Sequence, residues 1–310
     1  IQHTITMLFR YTHKKITWID LESPTQDEVR KLMKEFAIHP LVANELLSPT
    51  VRPKVDIYPN YLYLILHFPV IEHRHNGRAE QEVDFILGKN FIITTHYETI
   101  DPLHEFSKIF EVNSIIDKSH IGVHAGFVFF HLLKELYRAL GAELDHINTI
   151  LERVEASVFD GHEREMVEAI SRVNRDIVNF RQAIRLHGDV LASFENVSAK
   201  IYGDDFVYYI QAAIGEYQKI ASALDGHRET ISELHKTNDS LLTTKQNETM
   251  KTFTIMAFVT LPISFIAALF GMNAKDTPIS GSAGDFWVIV GMMMATLLLM
   301  FAYFKHKKWM

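Results

Sequence analysis

The sequence contains no cysteine among its 310 residues, which excludes disulfide bonds and metal sites built on thiolates. It also lacks a glycine-rich nucleotide loop and a nucleophile elbow. The segment His162-Glu163-Arg164-Glu165 lacks the second histidine that a zincin requires. These absences predict that the protein is not an enzyme and has no bound cofactor.

Charge is missing from two long stretches in the last sixty residues. Residues 252–270 and 286–304 are each nineteen residues long and carry no charged side chain. A helix of that length spans about 28 Å, close to the ~30 Å hydrocarbon core of a bilayer. A buried core helix would account for one such run, but two of them joined by a short polar loop predict a transmembrane hairpin. The lipid bilayer is therefore an expected partner.

Lysines flank the far ends of this hairpin, while the loop between the spans holds one lysine and two aspartates. The flanking set is Lys245, Lys251, Lys305, Lys307 and Lys308. By the positive-inside rule, both chain ends are cytoplasmic and the protein is a multi-pass protein of the cell (inner or plasma) membrane. No signal peptide precedes the polar part, which is expected to stay in the cytoplasm. Because the sequence begins at Ile1 rather than Met, a few leading residues are expected to precede it.

The net charge of −7 is unevenly divided. Residues 251–310 carry five lysines and two aspartates, a net +3, which leaves −10 on residues 1–250. An acidic body of this kind argues against nucleic acid as a partner and is compatible with cations.

The first part of the chain, residues 1–118, has the pattern of a cytoplasmic α/β domain. Strands are predicted at residues 4–9, 16–19, 61–71, 83–87 and 91–95. Ser23 as N-cap and Pro24 at the first position predict a helix over residues 26–36, and Asp101-Pro102 opens another through about residue 112.

Apolar residues then recur at three- and four-residue spacing, which predicts three long helices. These cover about residues 122–159, 162–194 and 205 onward, with breaks near Gly161 and near Tyr202-Gly203. Residues 119–204 would form antiparallel helices, and 205–251 a stalk helix that continues unbroken into the first span, 252–270. The outer loop then covers 271–285, the second span 286–304 and a basic cytoplasmic tail 305–310. A helix of roughly 65 residues, on the order of 95 Å, favours an oligomer in which copies pack together.

One stripe of the first span and its approach is small or polar. Heptad-like spacing back from Gly271 selects Ala268, Ser264, Leu261, Ala257, Thr254, Met250 and Asn247. Two interpretations stay open at this point: close helix packing in lipid, or several copies of the stripe around a water-filled axis. The polar run at residues 236–248 on the same helix favours the second interpretation. Pro262 removes one backbone hydrogen bond inside the span.

Four short segments are informative when they are taken together. Two of them belong to the hairpin: Gly271-Met272-Asn273 after the first span and Lys307-Lys308-Trp309-Met310 after the second. The other two are Arg52-Pro53-Lys54-Val55 in the first domain and Asn247-Glu248-Thr249-Met250-Lys251 just before the first span. In these segments, and in their order along nearly the whole chain, the sequence resembles the CorA family of magnesium transport proteins. The resemblance implies an α+β cytoplasmic domain, a long α-helical stalk and two C-terminal transmembrane helices in a funnel-shaped homopentamer.

The resemblance also implies a function and a set of site residues. The expected function is conduction of Mg²⁺, with Co²⁺ and Ni²⁺ as further candidates, into the cytoplasm down its electrochemical gradient. Gly271, Met272 and Asn273 would form the selectivity filter, in which a ring of neutral carboxamide oxygens recognises the hydrated ion. The pore-lining and gating positions carried over from the family are Asn247, Met250, Phe253, Ala257, Leu261, Ser264 and Ala268. At one turn the two predictions differ, because the family positions include Phe253 whereas the residue spacing selected Thr254.

Several positions depart from the family pattern. Phe270 stands where Tyr commonly precedes the motif, and Lys275 stands near the mouth where many members are acidic. The regulatory stalk aspartate of well-known members falls near Ala212. Mg²⁺ as a regulatory ligand would then need other carboxylates, for which the candidates are Glu72, Asp84, Asp204 and Asp205.

Seventeen histidines are a further feature of the composition. His73 and His75, with Glu72, are a candidate zinc site, whereas His187, His227 and His235 are expected to be ordinary surface residues on helices. Two rival functions remain at this stage. One is a related transporter of another divalent ion, such as Zn²⁺ or Co²⁺, or one that moves ions outward. The other is a membrane-anchored oligomeric scaffold or sensor that conducts nothing.

Overall fold

The computed structural model describes residues 7–50, 52–69, 80–116, 124–272, 284–307 and 309. The chain divides into two compact units, Ile1–His235 and Lys236–Met310. The first unit holds a six-stranded sheet with its helices, and the second holds the end of one long helix and a further apolar helix. The predicted combination of an α+β unit, a long helix and two C-terminal apolar helices is confirmed.

The sheet has the strand order β1-β2-β6-β5-β4-β3. Only β2 and β6 pair in parallel among the described strands; every other neighbouring pair is antiparallel. The strands are β1 Met7–His13, β2 Ile16–Glu22, β3 Lys54–Ile57, β4 Tyr61–Pro69, β5 Glu80–Gly88 and β6 Phe91–His96. The short edge strand β3 was not predicted, because four residues give too little alternation to recognise.

Eight helices occur in the described part of the chain. They are α1 Gln26–Glu35, α2 Pro40–Glu45, α3 Asp101–Ile116, α4 Ala125–Phe159, α5 Glu163–Ile184, α6 His187–Tyr202, α7 Phe206–Gly271 and α8 Asp285–His306. Helix α7, at 66 residues, matches the predicted uninterrupted helix. The short helix α2 was not predicted.

Helices α1 and α2 cover one face of the sheet. Val29 and Leu32 of α1 and Val42 of α2 pack in a buried cluster with Ile65 of β4 and Ile86 of β5. The N-cap of α1 is Thr25 and not Ser23 as predicted. The reason is a capping box: Thr25 accepts a hydrogen bond from the Glu28 backbone N–H, and the Glu28 carboxylate accepts one from the Thr25 N–H at 2.9 Å.

Helices α4 and α6 pack against the opposite face of the sheet, and α5 also contacts the sheet. Helix α4 contacts β2, β5 and β6, while α5 and α6 contact β4. Aromatic rings join the layers, because Phe129 of α4 lies 5.1 Å from Phe85 of β5 and 5.0 Å from Phe194 of α6, centroid to centroid. The long amphipathic helices therefore bury their apolar stripes on the sheet and on one another.

The predicted helix breaks at Gly161 and Gly203 are confirmed, since both glycines have φ of +93°, a conformation that other residues adopt at a cost. The predicted single helix over residues 162–194 is wrong. It divides into α5 and α6 around Arg185-Leu186, where neither glycine nor proline marks the break. The interruption places His187 at the start of α6.

His187 is fully buried, so the expectation that it is a surface residue is wrong. Its Nε2 lies 2.7 Å from the backbone oxygen of His67, and its Nδ1 lies 2.9 Å from the hydroxyl of Tyr137. A carbonyl only accepts, so Nε2 donates and Nδ1 accepts from the tyrosine. Burial lowers the pKa of His187 to about 3. The ring therefore joins β4, α4 and α6 in its neutral form.

We predict that this histidine makes the protein acid-sensitive. Its folded pKa of about 3 is below the unfolded value of 6.5, so its contribution to stability is complete above pH 6.5 and is lost as the pH falls towards 3. The loss is at most about 1.4 kcal/mol per pH unit in that window. Thermal unfolding of the full-length protein in detergent at pH 7 and pH 5 measures it.

His187→Gln keeps one donor and one acceptor but does not titrate, so its stability should fall less between pH 7 and pH 5, by about 2 kcal/mol or less. His235→Gln, at an exposed position on α7, serves as the matched control and should behave as the wild type does. Equal acid sensitivity in the wild type and in His187→Gln would show that another group is responsible.

Candidate functional site

Helix α7 changes from polar to apolar without a break in its backbone. Residues 236–248 are mostly polar, and residues 252–270 contain no charge, yet all lie within the one helix Phe206–Gly271. Threonine hydroxyls near the transition donate to the carbonyl four residues earlier, as Thr249 does to Lys245, Thr252 to Glu248 and Thr254 to Met250. These hydroxyls thus need no water.

The apolar half of α7 is exposed in the single chain. Leu261 is 69% exposed and Phe265 63%, and similar exposure holds for Met250, Phe253, Met256 and Phe258. In the described residues, two helices are long and apolar enough to cross a membrane, namely α7 and α8. An apolar surface of this extent on both helices requires lipid or further protein around it.

All seven predicted pore-lining and gating residues are exposed in the single chain. These are Asn247, Met250, Phe253, Ala257, Leu261, Ser264 and Ala268. A separate stripe of the same helix is partly covered, comprising Thr254, Ile255, Val259, Pro262, Ile263, Ile266 and Phe270. Thr254, which the residue spacing selected, is therefore partly covered, whereas Phe253, which the family resemblance selected, is exposed.

The predicted filter lies at the end of α7. Gly271 is the last residue of the helix, and Met272 follows it with an exposed side chain. A Cβ added at Gly271 would meet no atom within 4 Å, so the single chain leaves open space there. Asn273, Lys275 and Asp276 lie outside the described residues.

Helix α8 carries aromatic residues near both ends. Phe286 and Trp287 lie in its first turn and are strongly exposed. At the other end, the Trp309 N–H donates to the Phe304 carbonyl at 3.0 Å, and the two rings stack with centroids 6.0 Å apart. Aromatic side chains at both ends of an apolar helix are typical of the two membrane–water interfaces.

The candidate regulatory carboxylates are in different environments. Asp84 is completely buried on β5, whereas Asp204 and Asp205 are exposed between α6 and α7. Glu72, with the candidate zinc ligands His73 and His75, lies outside the described residues. Within the described ranges, no three His, Asp or Glu side chains are arranged to hold a metal ion by themselves.

A polar cluster around Asp84 was not recognised from the sequence. The Glu82 carboxylate Oε2 accepts from the Thr50 backbone N–H at 2.6 Å and lies 3.2 Å from Nε2 of His67. Both Glu82 and His67 are buried. The available indication was the acidic residues at alternate positions 80, 82 and 84 of a strand that is otherwise apolar from Val83 to Leu87.

Electrostatics at Asp84 are unfavourable for a free carboxylate. Burial, and next the neighbouring Glu82, raise the pKa of Asp84 well above its usual value. Lys54 opposes this shift, but its Nζ is already 2.8 Å from the Glu45 carboxylate and 2.7 Å from that of Asp56. Burial and the charge on Asp84 also raise the pKa of the Tyr63 hydroxyl.

The amino-acid sequence matches a known protein family and curated relatives. The family described as CorA-like Mg²⁺ transporter protein matches residues 13–306, nearly the whole chain. A curated relative, the cobalt/magnesium transport protein CorA of Thermotoga maritima, is 27% identical over 298 residues, covering 95% of this chain and 83% of the relative.

Solved structures with the same fold are known. The complete structure of the CorA magnesium transporter of Methanocaldococcus jannaschii matches with a TM-score of 0.84 at 20% identity, covering 97% of this chain and 94% of that one. The full-length CmaX protein matches with a TM-score of 0.73 at 16% identity, covering 99% and 93%. With the family match over most of its length, the chain belongs to the CorA-like Mg²⁺ transporter family.

Proposed function

We propose that this protein is a homopentameric membrane channel that conducts hydrated Mg²⁺ into the cytoplasm. The observation that carries the proposal is the continuity of α7, which extends from polar residues through an exposed apolar span to Gly271-Met272. Members of the family transport Mg²⁺, and the curated relative of Thermotoga maritima is named for cobalt and magnesium. Co²⁺ and Ni²⁺ are therefore further candidate ions.

The proposed pore is formed by copies of α7 around one axis. Five copies would each contribute the exposed stripe from Asn247 to Ala268, in which small and polar side chains leave room for water. The partly covered stripe that includes Thr254 and Pro262 would face away from the axis. Phe253 and Leu261 are then apolar constrictions, which can close a pore by excluding water.

The proposed filter is a ring of Asn273 carboxamides at the outer mouth. Mg²⁺ is small and gives up its water reluctantly, so a ring of neutral oxygens can bind the hydrated ion through its waters. Five carboxylates in the same place would hold the ion too tightly for conduction. Gly271 gives backbones room to approach in this proposal, and Met272, exposed in the single chain, would pack only in the assembly.

The membrane potential supplies the driving force. A divalent cation gains about 4.6 kcal/mol per 100 mV on moving to a negative interior, twice the ~2.3 kcal/mol of a single charge. No nucleotide site is needed, in keeping with a channel that is not an enzyme. Both termini are cytoplasmic in this proposal. The reason is that lysines precede the first span and follow the second, and positively charged residues are enriched on the cytoplasmic side.

The filter assignment predicts that Asn273→Ala abolishes Mg²⁺ uptake into liposomes containing the purified protein. In the wild type, uptake should rise with an inside-negative potential, and in the variant it should fall at least tenfold, about 1.4 kcal/mol. A Mg²⁺-sensitive dye inside the liposomes measures the rate.

Asn196→Ala is the matched control, since it removes the same carboxamide from an exposed position on α6. Its uptake should equal that of the wild type. Undiminished uptake by Asn273→Ala would remove the filter assignment, and uptake by neither protein would favour a scaffold.

The pore assignment predicts which positions of the first span are in contact with water. The protein has no native cysteine, so single cysteines can be introduced without background labelling. Ala257→Cys and Ser264→Cys should react with a small, membrane-impermeant thiol reagent in liposomes, while Phe258→Cys and Phe265→Cys should not. Mass spectrometry of the intact protein measures the labelled fraction.

All four positions are exposed in the single chain. A difference in their labelling rates can therefore arise only from the assembly of subunits and from the bilayer. We expect at least a tenfold difference in labelling rate between the two pairs. Equal rates, or faster labelling of the phenylalanine positions, would place the small-residue stripe against lipid or protein instead of water.

A further inference from the structure

Five buried side-chain oxygens around Asp84 have no hydrogen-bond partner within the described residues. They are Asp84 Oδ1, Asp84 Oδ2, Glu82 Oε1, Tyr63 Oη and Thr95 Oγ1. Buried polar atoms are rarely left unpaired, because each one costs the free energy of its lost hydration. Four side chains with unpaired oxygens on one face of the sheet therefore indicate a bound group that would pair with them.

The sheet register brings these side chains to one face. Asp84 of β5 is directly opposite Ile65 of β4 and Thr95 of β6, and Glu82 is opposite His67. Directly paired residues of antiparallel strands project from the same face. Glu82 and Asp84 are two apart on one strand and share that face as well. The unpaired oxygens thus come from three adjacent strands.

The charges facing this cluster do not neutralise it. Lys54 of β3 is within salt-bridge distance of Glu45 and Asp56. His67 of β4 lies between the carboxylates of Glu82, at 3.2 Å, and Glu80, at 3.7 Å. The other oxygen of Glu82 already accepts two hydrogen bonds from Thr50. Glu82 Oε1 and both oxygens of Asp84 remain as a buried acidic pair.

The Asp84 and Glu82 side chains are within hydrogen-bond reach of each other, so a single proton shared by the pair would remove one charge and join one oxygen of each carboxylate. The other oxygen of Asp84 and the hydroxyls of Tyr63 and Thr95 would stay unpaired. A hydrated divalent cation balances two carboxylates and supplies water molecules that donate to the remaining oxygens. Mg²⁺ in particular keeps several waters and is held by one or two carboxylates, so it needs no third acidic ligand. Zinc, by contrast, prefers nitrogen and sulfur ligands.

We propose that Glu82 and Asp84 bind one hydrated Mg²⁺ inside the first unit, Ile1–His235, of each subunit. The hydroxyls of Tyr63 and Thr95 complete the oxygen surface around it, and His67 holds the outer oxygen of Glu82. The site lies within one subunit and shares no residue with the proposed pore or filter.

A recess lies beside Glu82. It has a volume of about 320 Å³, and its lining includes Glu82, Thr50, His67, Glu80 and Glu98. Three of its lining residues are glutamates, which attract cations to the recess. Glu82 belongs to both the wall of the recess and the buried pair, so movement of its side chain would admit the ion.

The test is the effect of Mg²⁺ alone on the thermal unfolding of the full-length protein in detergent. At a concentration one hundredfold above the dissociation constant, we expect the midpoint to rise on the order of 5–10 °C. Asp84→Asn and Glu82→Gln should each remove most of this rise. Asp205→Asn, an exposed carboxylate outside the cluster, should keep it.

Asn273→Ala should also keep the full rise, because its carboxamide belongs to the proposed filter. A rise that disappears in Asn273→Ala but persists in Asp84→Asn would assign the effect to the pore and overturn the buried site. No rise in the wild type, or a midpoint that responds only to acid, would show that the pair holds a proton.

A count of bound ions keeps the proposal testable if the buried variants do not fold. Equilibrium dialysis of Asn273→Ala with Mn²⁺, a paramagnetic substitute for Mg²⁺, should find at least one ion per chain that Mg²⁺ displaces. An ion bound on the axis of an oligomer is shared by all its subunits, so each axial site contributes only a fraction of an ion per chain. A total below one ion per chain would contradict the proposal.

Discussion

The interior of a bilayer offers no water to backbone N–H and C=O groups, and this constraint explains the last part of the chain. A continuous helix satisfies these groups by itself, and α7 runs through its apolar residues to Gly271. Thr252 and Thr254 donate to the carbonyls of the preceding turn, so their hydroxyls do not require solvent. Pro262 is the exception, since it cannot donate a backbone hydrogen bond to the preceding turn. Apart from the one backbone hydrogen bond that Pro262 lacks, the helix satisfies its own backbone groups, and its surroundings need to supply mainly apolar contact.

The first unit, Ile1–His235, faces the opposite problem, because its polar groups must be paired after they leave water. His187 and Asp84 are both fully buried, but their partners differ. His187 has one acceptor and one donor at hydrogen-bond distance, so its neutral ring ties three elements together. Asp84 has neither, and the pair it forms with Glu82 is the part of this unit that the protein chain alone leaves unbalanced. The contrast makes the first residue structural and the second a candidate ligand.

The spacing of apolar residues predicted the long helices well and the short helix and strand poorly. Helices α4 and α7 repeat their apolar residues over many turns, so their existence and their breaks at Gly161 and Gly203 could be predicted. Helix α2 and strand β3 have six and four residues, too few for a period to show. The break between α5 and α6 has no local cause in the sequence; it coincides with the tertiary hydrogen bonds of His187.

The amino-acid sequence alone determined the two spans, the uninterrupted helix and the Gly271-Met272-Asn273 segment, because hydropathy and short motifs are local properties of the chain. Only the tertiary structure decided that all seven candidate pore-lining residues are exposed in the single chain, and that Glu82, Asp84, Tyr63 and Thr95 meet on one face of the sheet. Strand register joins residues that are far apart in the sequence. Burial then gives their charges a cost that composition cannot reveal.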